Sequence, residues 1–253
     1  MLRKTRKLLA ALSNRRYWSG LRHGIAPTLE HKLALEGLNV RTVLDVGANR
    51  GQFSLLAQCL YPAASIYAFE PLQRPAERFR ALFADQANVH LFQVGIGEAL
   101  GDIKMFVAND HCASSSILKA NKQLRIFGSH ETGEETVRIG RLNDFLPLDR
   151  IRPPCLLKID VQGYELQVIN GCREALPLID YLYVECCFVE LYARQALAHE
   201  ILRRLGEFGF ALRGIFNQYC DPEEGPVIAD FLFQSLRPMA SVRDRGEAVA
   251  ALQ

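Results

Sequence analysis

An α/β fold with a mostly parallel central sheet and helices on both faces is what this sequence predicts, on three observations. Short apolar runs end in glycine, proline or an acid, helical stretches separate them, and the alternation holds for most of the chain. Runs without polar alternation suit strands buried on both faces, and strands that alternate with helices need crossover connections, which make them parallel.

Thr42-Val43-Leu44-Asp45-Val46 is the first such strand, closed by Gly47. Gln52 to Leu60 reads as a helix that stops before Pro62, and Ser65 to Glu70 as a second strand that terminates at Pro71. Pro75 to Phe83 is the next helix and Val89 to Val94 the third strand. From 101 to 140 the rhythm changes. Ile103 to Val107 and Thr136 to Ile139 look like strands around a polar stretch with Ser114-Ser115-Ser116, so 101–140 is expected to be a loop-rich insertion over the site. The alternation resumes with Cys155 to Asp160, a helix from about Tyr164 to Leu176 and the strand Tyr181 to Glu185. A helix from about Val189 to Phe208 leads to two last strands, Ala211 to Phe216 and Val227 to Phe233. The expected organisation is a basic helical segment (1–38), one α/β domain (39–236) and a frayed tail (237–253).

With 253 residues, 49% hydrophobic and 23% charged, the chain can bury one sizeable core and is too short for several. Its 30 basic and 28 acidic residues nearly cancel. A nucleic-acid footprint would be locally basic, so no nucleic-acid partner is expected. Only the N-terminus is basic, with Arg3, Lys4, Arg6, Lys7, Arg15 and Arg16 around Leu8 to Leu12. That apolar run is shorter than the roughly 7 to 15 residues of a signal peptide. It reads as a basic amphipathic helix, either a solvated cap or a peripheral contact with an anionic membrane surface. The seven cysteines are an odd number without a C-x-x-C pair, which suits reduced thiols in a cytoplasmic enzyme. No run reaches the roughly 18 to 20 apolar residues of a membrane span. Nothing in the pattern specifies an oligomeric state.

At the first strand-to-helix turn, Asp45-Val46-Gly47-Ala48-Asn49-Arg50-Gly51, two glycines permit backbone conformations and close approach that side chains would block. The spacing lacks the third glycine of the dinucleotide fingerprint, which weighs against an NAD-dependent oxidoreductase. S-adenosylmethionine fits better: its amino and carboxylate groups can use Asp45 and the backbone donors of Gly47, Ala48, Asn49 and Gly51. Glu70 ends the second strand about 20 residues on, where a carboxylate accepts from both ribose hydroxyls, with Pro71 beside it. Gly95 and Ile96 stand where an adenine would lie, and Gly95 and Gly97 serve equally as turn residues.

Three stretches carry a resemblance to a known family: Val43-Leu44-Asp45-Val46-Gly47-Ala48-Asn49-Arg50-Gly51-Gln52-Phe53, Phe69-Glu70-Pro71 and Leu157-Lys158-Ile159-Asp160-Val161-Gln162-Gly163-Tyr164-Glu165. With Leu142 to Leu146 and Tyr183-Val184-Glu185, the chain resembles the FkbM-type methyltransferases over about residues 40 to 217. One departure is Leu142-Asn143-Asp144, where the family usually has Leu-Asp-Asp. The resemblance implies a Rossmann-like methyltransferase fold that moves a methyl group from S-adenosylmethionine to a hydroxyl oxygen of a sugar, glycan or natural product.

A sulfonium methyl is already activated, so such an enzyme has mainly to place the acceptor oxygen and accept its proton. Lys158, Asp160 and Glu165 cluster at the end of the fourth main strand, and Lys158 and Asp160, two apart, share a face. Glu185 ends the next strand and is expected to face Asp160. Two mechanisms fit. Asp160 acts as general base while Lys158 steadies the developing alkoxide, or Asp160 and Glu185 hold Mg2+ that acidifies the acceptor. His111, on a closing loop, is a further candidate base. Tyr164 and Tyr192 either line the acceptor pocket or pack in the core. A protein that binds S-adenosylmethionine without transfer remains a rival reading.

Overall fold

The computed structural model describes residues 15–108, 114–128 and 130–237. The basic residues before position 15, His111 and the tail from 238 lie outside the described residues.

Seven strands form the main sheet: β1 (Thr42–Val46), β2 (Ser65–Phe69), β3 (Val89–Phe92), β7 (Cys155–Ile159), β8 (Tyr181–Cys187), β9 (Phe210–Asp221) and β10 (Gly225–Ser235). Their order is β3-β2-β1-β7-β8-β10-β9. The first five are parallel, and β10 runs antiparallel between β8 and β9. The expected mostly parallel sheet is therefore present, with an antiparallel hairpin at one edge.

Helices cover both faces. On one, Val43, Leu156, Tyr181 and Leu232 pack against α2 (Lys32–Leu35) and α3 (Gln52–Leu60) through Leu35, Phe53 and Leu56. On the other, Leu44, Leu157, Leu182 and Phe231 pack against α7 (Glu165–Gly171) and α8 (Ala198–Glu207) through Val168, Ile169, Ile201 and Leu205. The N-terminal helix α1 (Arg15–Arg22) joins a smaller cluster through Tyr17, with Ile25, Leu55 and Phe79. It presents Trp18 and Leu21 to solvent.

The first of these faces changes character along its length. Val43 gives way to Asp45 and Gly47, Leu156 to Lys158 and Asp160, Tyr181 to Tyr183 and Glu185, and antiparallel Leu232 to Asp230. Residues two apart share a strand face, and the pairing aligns Asp45 with Lys158, Lys158 with Tyr183, and Glu185 with Asp230. Charge thus gathers at the carboxyl ends of the parallel strands, where ligands bind in open α/β sheets.

The segment expected to be loop-rich contains two long strands. β5 (Gly101–Ala108) and β6 (Glu131–Gly140) pair antiparallel, and with β4 (Gly95–Ile96) they form a second sheet. The helix expected from about 189 begins at Ala198. Before it, the amide of Ala193 donates to the Lys119 carbonyl and the Leu191 carbonyl accepts from Asn121, so this backbone is committed to the insertion. Glu200 then accepts from the Leu197 amide at 2.9 Å and starts the helix. α7 ends at Gly171, short of Leu176; Pro177, lacking an N–H, sits in the separate 3-10 turn Leu176–Leu178. Among the described residues no helix is long and apolar enough to cross a membrane.

Candidate active site

The strand order reverses between β1 and β7, and the carboxyl ends there open into a cleft of about 970 Å3 with its mouth included.

Its floor is the turn after β1. Gly47, Asn49 and Gly51 adopt φ of 77°, 48° and 94°. A Cβ on Gly47 would lie 1.9 Å from the Asp160 carbonyl oxygen, so only glycine lets the turn rest against the end of β7. Gly47, Ala48 and Asn49 line the cleft. Gly51 does not: it lies behind, where a Cβ would meet Phe83 at 2.6 Å. Its constraint is packing against the neighbouring helix. Asn49 Oδ1 and Gln52 Oε1 are buried without a hydrogen-bond partner among the described residues, although both residues border the cleft. Unpaired buried acceptors cost about 1 to 3 kcal/mol each, and a ligand ammonium supplies the donors they lack. Two such acceptors in one cleft suit a ligand that carries an ammonium group.

Glu70 lines the same cleft, 5% exposed. Its Oε2 accepts from the Asn49 amide at 2.8 Å and its Oε1 from the Leu72 amide at 2.9 Å, which fixes both oxygens and ties them to the turn. Burial raises its pKa to about 7 against the pull of those hydrogen bonds and of Lys158. Pro71, Gly95 and Ile96 extend this wall, while Gly97 is tied back through its amide to the Gly140 carbonyl at 2.8 Å.

Asp45 and Lys158 depart from expectation. Asp45 is fully buried, accepts from Ser54 Oγ at 2.6 Å and lies 3.2 Å from Lys158 Nζ. It does not border the cleft. The reason is register: β1 and β7 place the two side by side on one face, and neither can be buried charged without the other. Lys158 Nζ also donates to the Gly47 carbonyl at 2.9 Å and the Val46 carbonyl at 3.3 Å. Burial is the largest influence on its pKa and lowers it, but Asp45, Asp160 and Glu185 together raise it. Two of its N–H donors are thus committed to the turn, which Lys158 braces, with Asp45 as its ion-pair partner.

Glu165 is likewise a brace. Its Oε1 accepts from the Gly163 and Val161 amides at 2.9 and 3.3 Å, holding the tight turn in which Gln162 and Gly163 take φ of 57° and 98°. Burial, its largest cause, raises the Glu165 pKa to about 7.

Asp160 and Glu185 do not face one another directly. The Gln162 side-chain amide stands between them and donates 2.9 Å bonds to Asp160 Oδ1 and Glu185 Oε2. An NH2 group that donates to both carboxylates occupies the position a shared cation would need. Among the described residues no group of three or more His, Cys, Asp or Glu is placed to hold a metal ion, and the Asp160–Glu185 pair is bridged by a donor rather than left open to Mg2+. Glu185 has its pKa raised well above the ordinary value by burial first, then by the charges of Asp160, Asp230 and Glu165. Asp160, with its side chain 38% exposed, is the member that opens to the cleft.

Gln162 is the residue that the sequence reading left unused. Besides the two carboxylates, its Oε1 accepts from Tyr192 O–H at 2.8 Å and its backbone carbonyl from Ser116 Oγ at 2.6 Å. Tyr192 is therefore buried support rather than pocket wall, whereas Tyr164 borders the cleft. Ser116 couples the insertion to the site, and Ser115 and Ile117 line it. His31, from the N-terminal segment, also lines it. No local pattern marks His31; Gln162 is signalled only by its place in the Asp160-to-Glu165 stretch.

Residues 45–212 match the Methyltransferase FkbM domain. The chain is 30% identical over 173 residues to the 2-O-methyltransferase NoeI of Sinorhizobium fredii, covering 66% of this chain and 71% of that protein. It is 29% identical over 195 residues to the 31-O-demethyl-FK506 methyltransferase FkbM of Streptomyces tacrolimicus, covering 68% and 70%. Against the hexuronic acid methyltransferase AglP of Haloferax volcanii it is 27% identical over 160 residues, 61% of this chain and 59% of that one.

Proposed function

The chain belongs to the FkbM methyltransferase domain family, and from that premise we propose that it methylates a hydroxyl oxygen on a sugar, glycan or natural-product acceptor. It is an S-adenosylmethionine-dependent methyltransferase on a Rossmann-like α/β fold. The acceptor class draws on relatives whose names specify a 2-O-methyl position, a demethyl-FK506 oxygen and a hexuronic acid.

The observation that carries the proposal is one shared cleft. The turn Gly47 to Asn49 and the ribose-facing Glu70 form one part, and the half-exposed carboxylate of Asp160 opens into the same space against Gly47. Asn49 Oδ1 and Gln52 Oε1 accept from the methionyl ammonium, Glu70 from the ribose hydroxyls, and Gly95 and Ile96 admit the adenine. The bound donor supplies an electrophilic methyl on a sulfonium. Asp160, oriented by Gln162, accepts a hydrogen bond from an acceptor hydroxyl beside the one methylated and so aims the reacting oxygen, which is a matter of placing reacting atoms at about 3 to 3.5 Å. Ser115 and Ile117 from the insertion close the site against water. Cys155, Cys172, Cys186 and Cys187 are buried, and on this reading the enzyme works in the reducing cytoplasm.

The test is incubation with methyl-labelled S-adenosylmethionine and a panel of p-nitrophenyl glycosides, uronic acids and hydroxylated macrolides, followed by mass analysis of products. Label on a hydroxyl oxygen supports the proposal. Donor binding without transfer to any of them or to a cell extract would favour a non-catalytic binding protein, and NAD binding in its place would point to an oxidoreductase.

A further inference from the structure

His31 closes the 3-10 turn Leu29–His31 and reaches over the charged end of the sheet. Its side chain is 17% exposed and borders the cleft. Nδ1 lies 3.1 Å from Asp230 Oδ2, 3.0 Å from Tyr183 Oη and 3.2 Å from Asn217 Nδ2. Tyr183 and Asn217 also donate to that Asp230 oxygen, at 3.1 and 2.8 Å. Burial, then the Asp230 charge, raises the Tyr183 pKa and keeps its phenol a donor. Donors from three elements thus converge on one carboxylate, and an Nδ1–H directed at it leaves the lone pair on Nε2.

The ring's place is also fixed. Phe53 and Tyr183 hold it at centroid distances of 5.8 and 5.4 Å, and Lys158 Nζ lies 5.6 Å from the Phe53 centroid. Phe53 thus neighbours both His31 and Lys158, and all three line the cleft. The titratable and charged groups around it are Asp230 on β10, Tyr183 and Glu185 on β8, Lys158 on β7 and the adjacent Glu30.

We propose that His31, oriented by Asp230, is the general base that receives the acceptor proton, an assignment that rests on the methyl-transfer function above. Imidazole, among the ordinary side chains, ionises nearest to neutrality and so suits a group that takes a proton and returns it to solvent. The step balances. A lone pair of the acceptor oxygen forms the O–CH3 bond, the C–S pair returns to sulfur as S-adenosylhomocysteine leaves, and the hydroxyl proton passes to Nε2. The imidazolium so formed faces the Asp230 carboxylate.

Long-range 1H–15N spectra of 15N-histidine protein, with His31→Gln to identify the signal, report the tautomer without any acceptor. A neutral Nδ1–H form, lost in Asp230→Asn, is expected; a neutral Nε2–H form overturns the proposal. On the panel compound methylated fastest, His31→Gln should lower kcat on the order of 100-fold or more, leave the Kd for S-adenosylmethionine within twofold and flatten the pH profile. Imidazole added to His31→Gly should restore part of the rate. An unchanged kcat, or a loss confined to donor affinity, overturns it. If wild type binds no S-adenosylmethionine, the methyl-transfer reading itself fails, which is a distinct result.

Discussion

Glu70 ties donor binding to pH. Its carboxyl is 5% exposed, and burial moves its pKa from 4.5 to about 7 in the ligand-free protein. The folded-state value lies above the unfolded one. The stability it contributes is therefore fully present below about pH 4.5 and is lost as pH rises through 7. Binding has the opposite sign, because ribose hydroxyls are donors and need the carboxylate, whose oxygens already accept from Asn49 and Leu72. Below pH 7 each unit removes up to a factor of ten in the ionised fraction, about 1.4 kcal/mol. Between pH 8 and pH 6 the affinity for S-adenosylmethionine should fall about tenfold. Glu70→Gln replaces charge-assisted hydrogen bonds worth about 1.5 to 3 kcal/mol. It should bind roughly 10-fold to 150-fold more weakly at pH 8, with no slope between pH 6 and 8. Titration calorimetry of both proteins at pH 6, 7 and 8 and constant ionic strength measures this. A flat wild-type profile, or the same slope in Glu70→Gln, would refute the reasoning, since the slope would then belong to another group.

Gly47→Ala places a Cβ 1.9 Å from the Asp160 carbonyl oxygen at φ 77°; the left-handed conformation alone costs about 1 to 2 kcal/mol. A folded protein of lower Tm that binds S-adenosylmethionine at least roughly tenfold more weakly is expected from thermal melts and calorimetry. Glu165, 3% exposed, has its pKa raised by burial from 4.5 to about 7, so ionisation opposes folding as pH rises through that window. Glu165→Gln keeps an acceptor for Gly163 and should stabilise the fold by up to about 3 kcal/mol at pH 8, with the gain shrinking towards pH 4.5 in denaturant titrations. Chelation should leave the methylation rate unchanged, since Gln162 fills the position between Asp160 and Glu185; a rate restored by added Mg2+ would contradict this.

The strand, glycine turn and helix from 42 to 60 were legible because every determinant is local: an apolar run, two glycines and a helical stretch with a following proline. Glu70 was legible for the same reason, as an acid at a strand end. Asp45 and Lys158 were not, because a strand buried on both faces carries no local mark of where its charges point. Only the pairing of β1 with β7, 113 residues apart for these two, turns them towards each other. His31 meets Tyr183 across a sequence separation of 152 residues, beyond any periodic pattern. The two strands of the insertion were marked by the runs Ile103 to Val107 and Thr136 to Ile139, but the full length of β6 was not, because its added residues Glu131 to Glu134 are exposed and mostly polar.

Transfer of labelled methyl from S-adenosylmethionine, followed to the acceptor atom by mass spectrometry and NMR, tests the central claim most directly. The account predicts label on a hydroxyl oxygen, with S-adenosylhomocysteine formed in equal amount and both diminished in Gly47→Ala at subsaturating donor. Label on nitrogen or carbon, or transfer that survives Gly47→Ala undiminished, would contradict it.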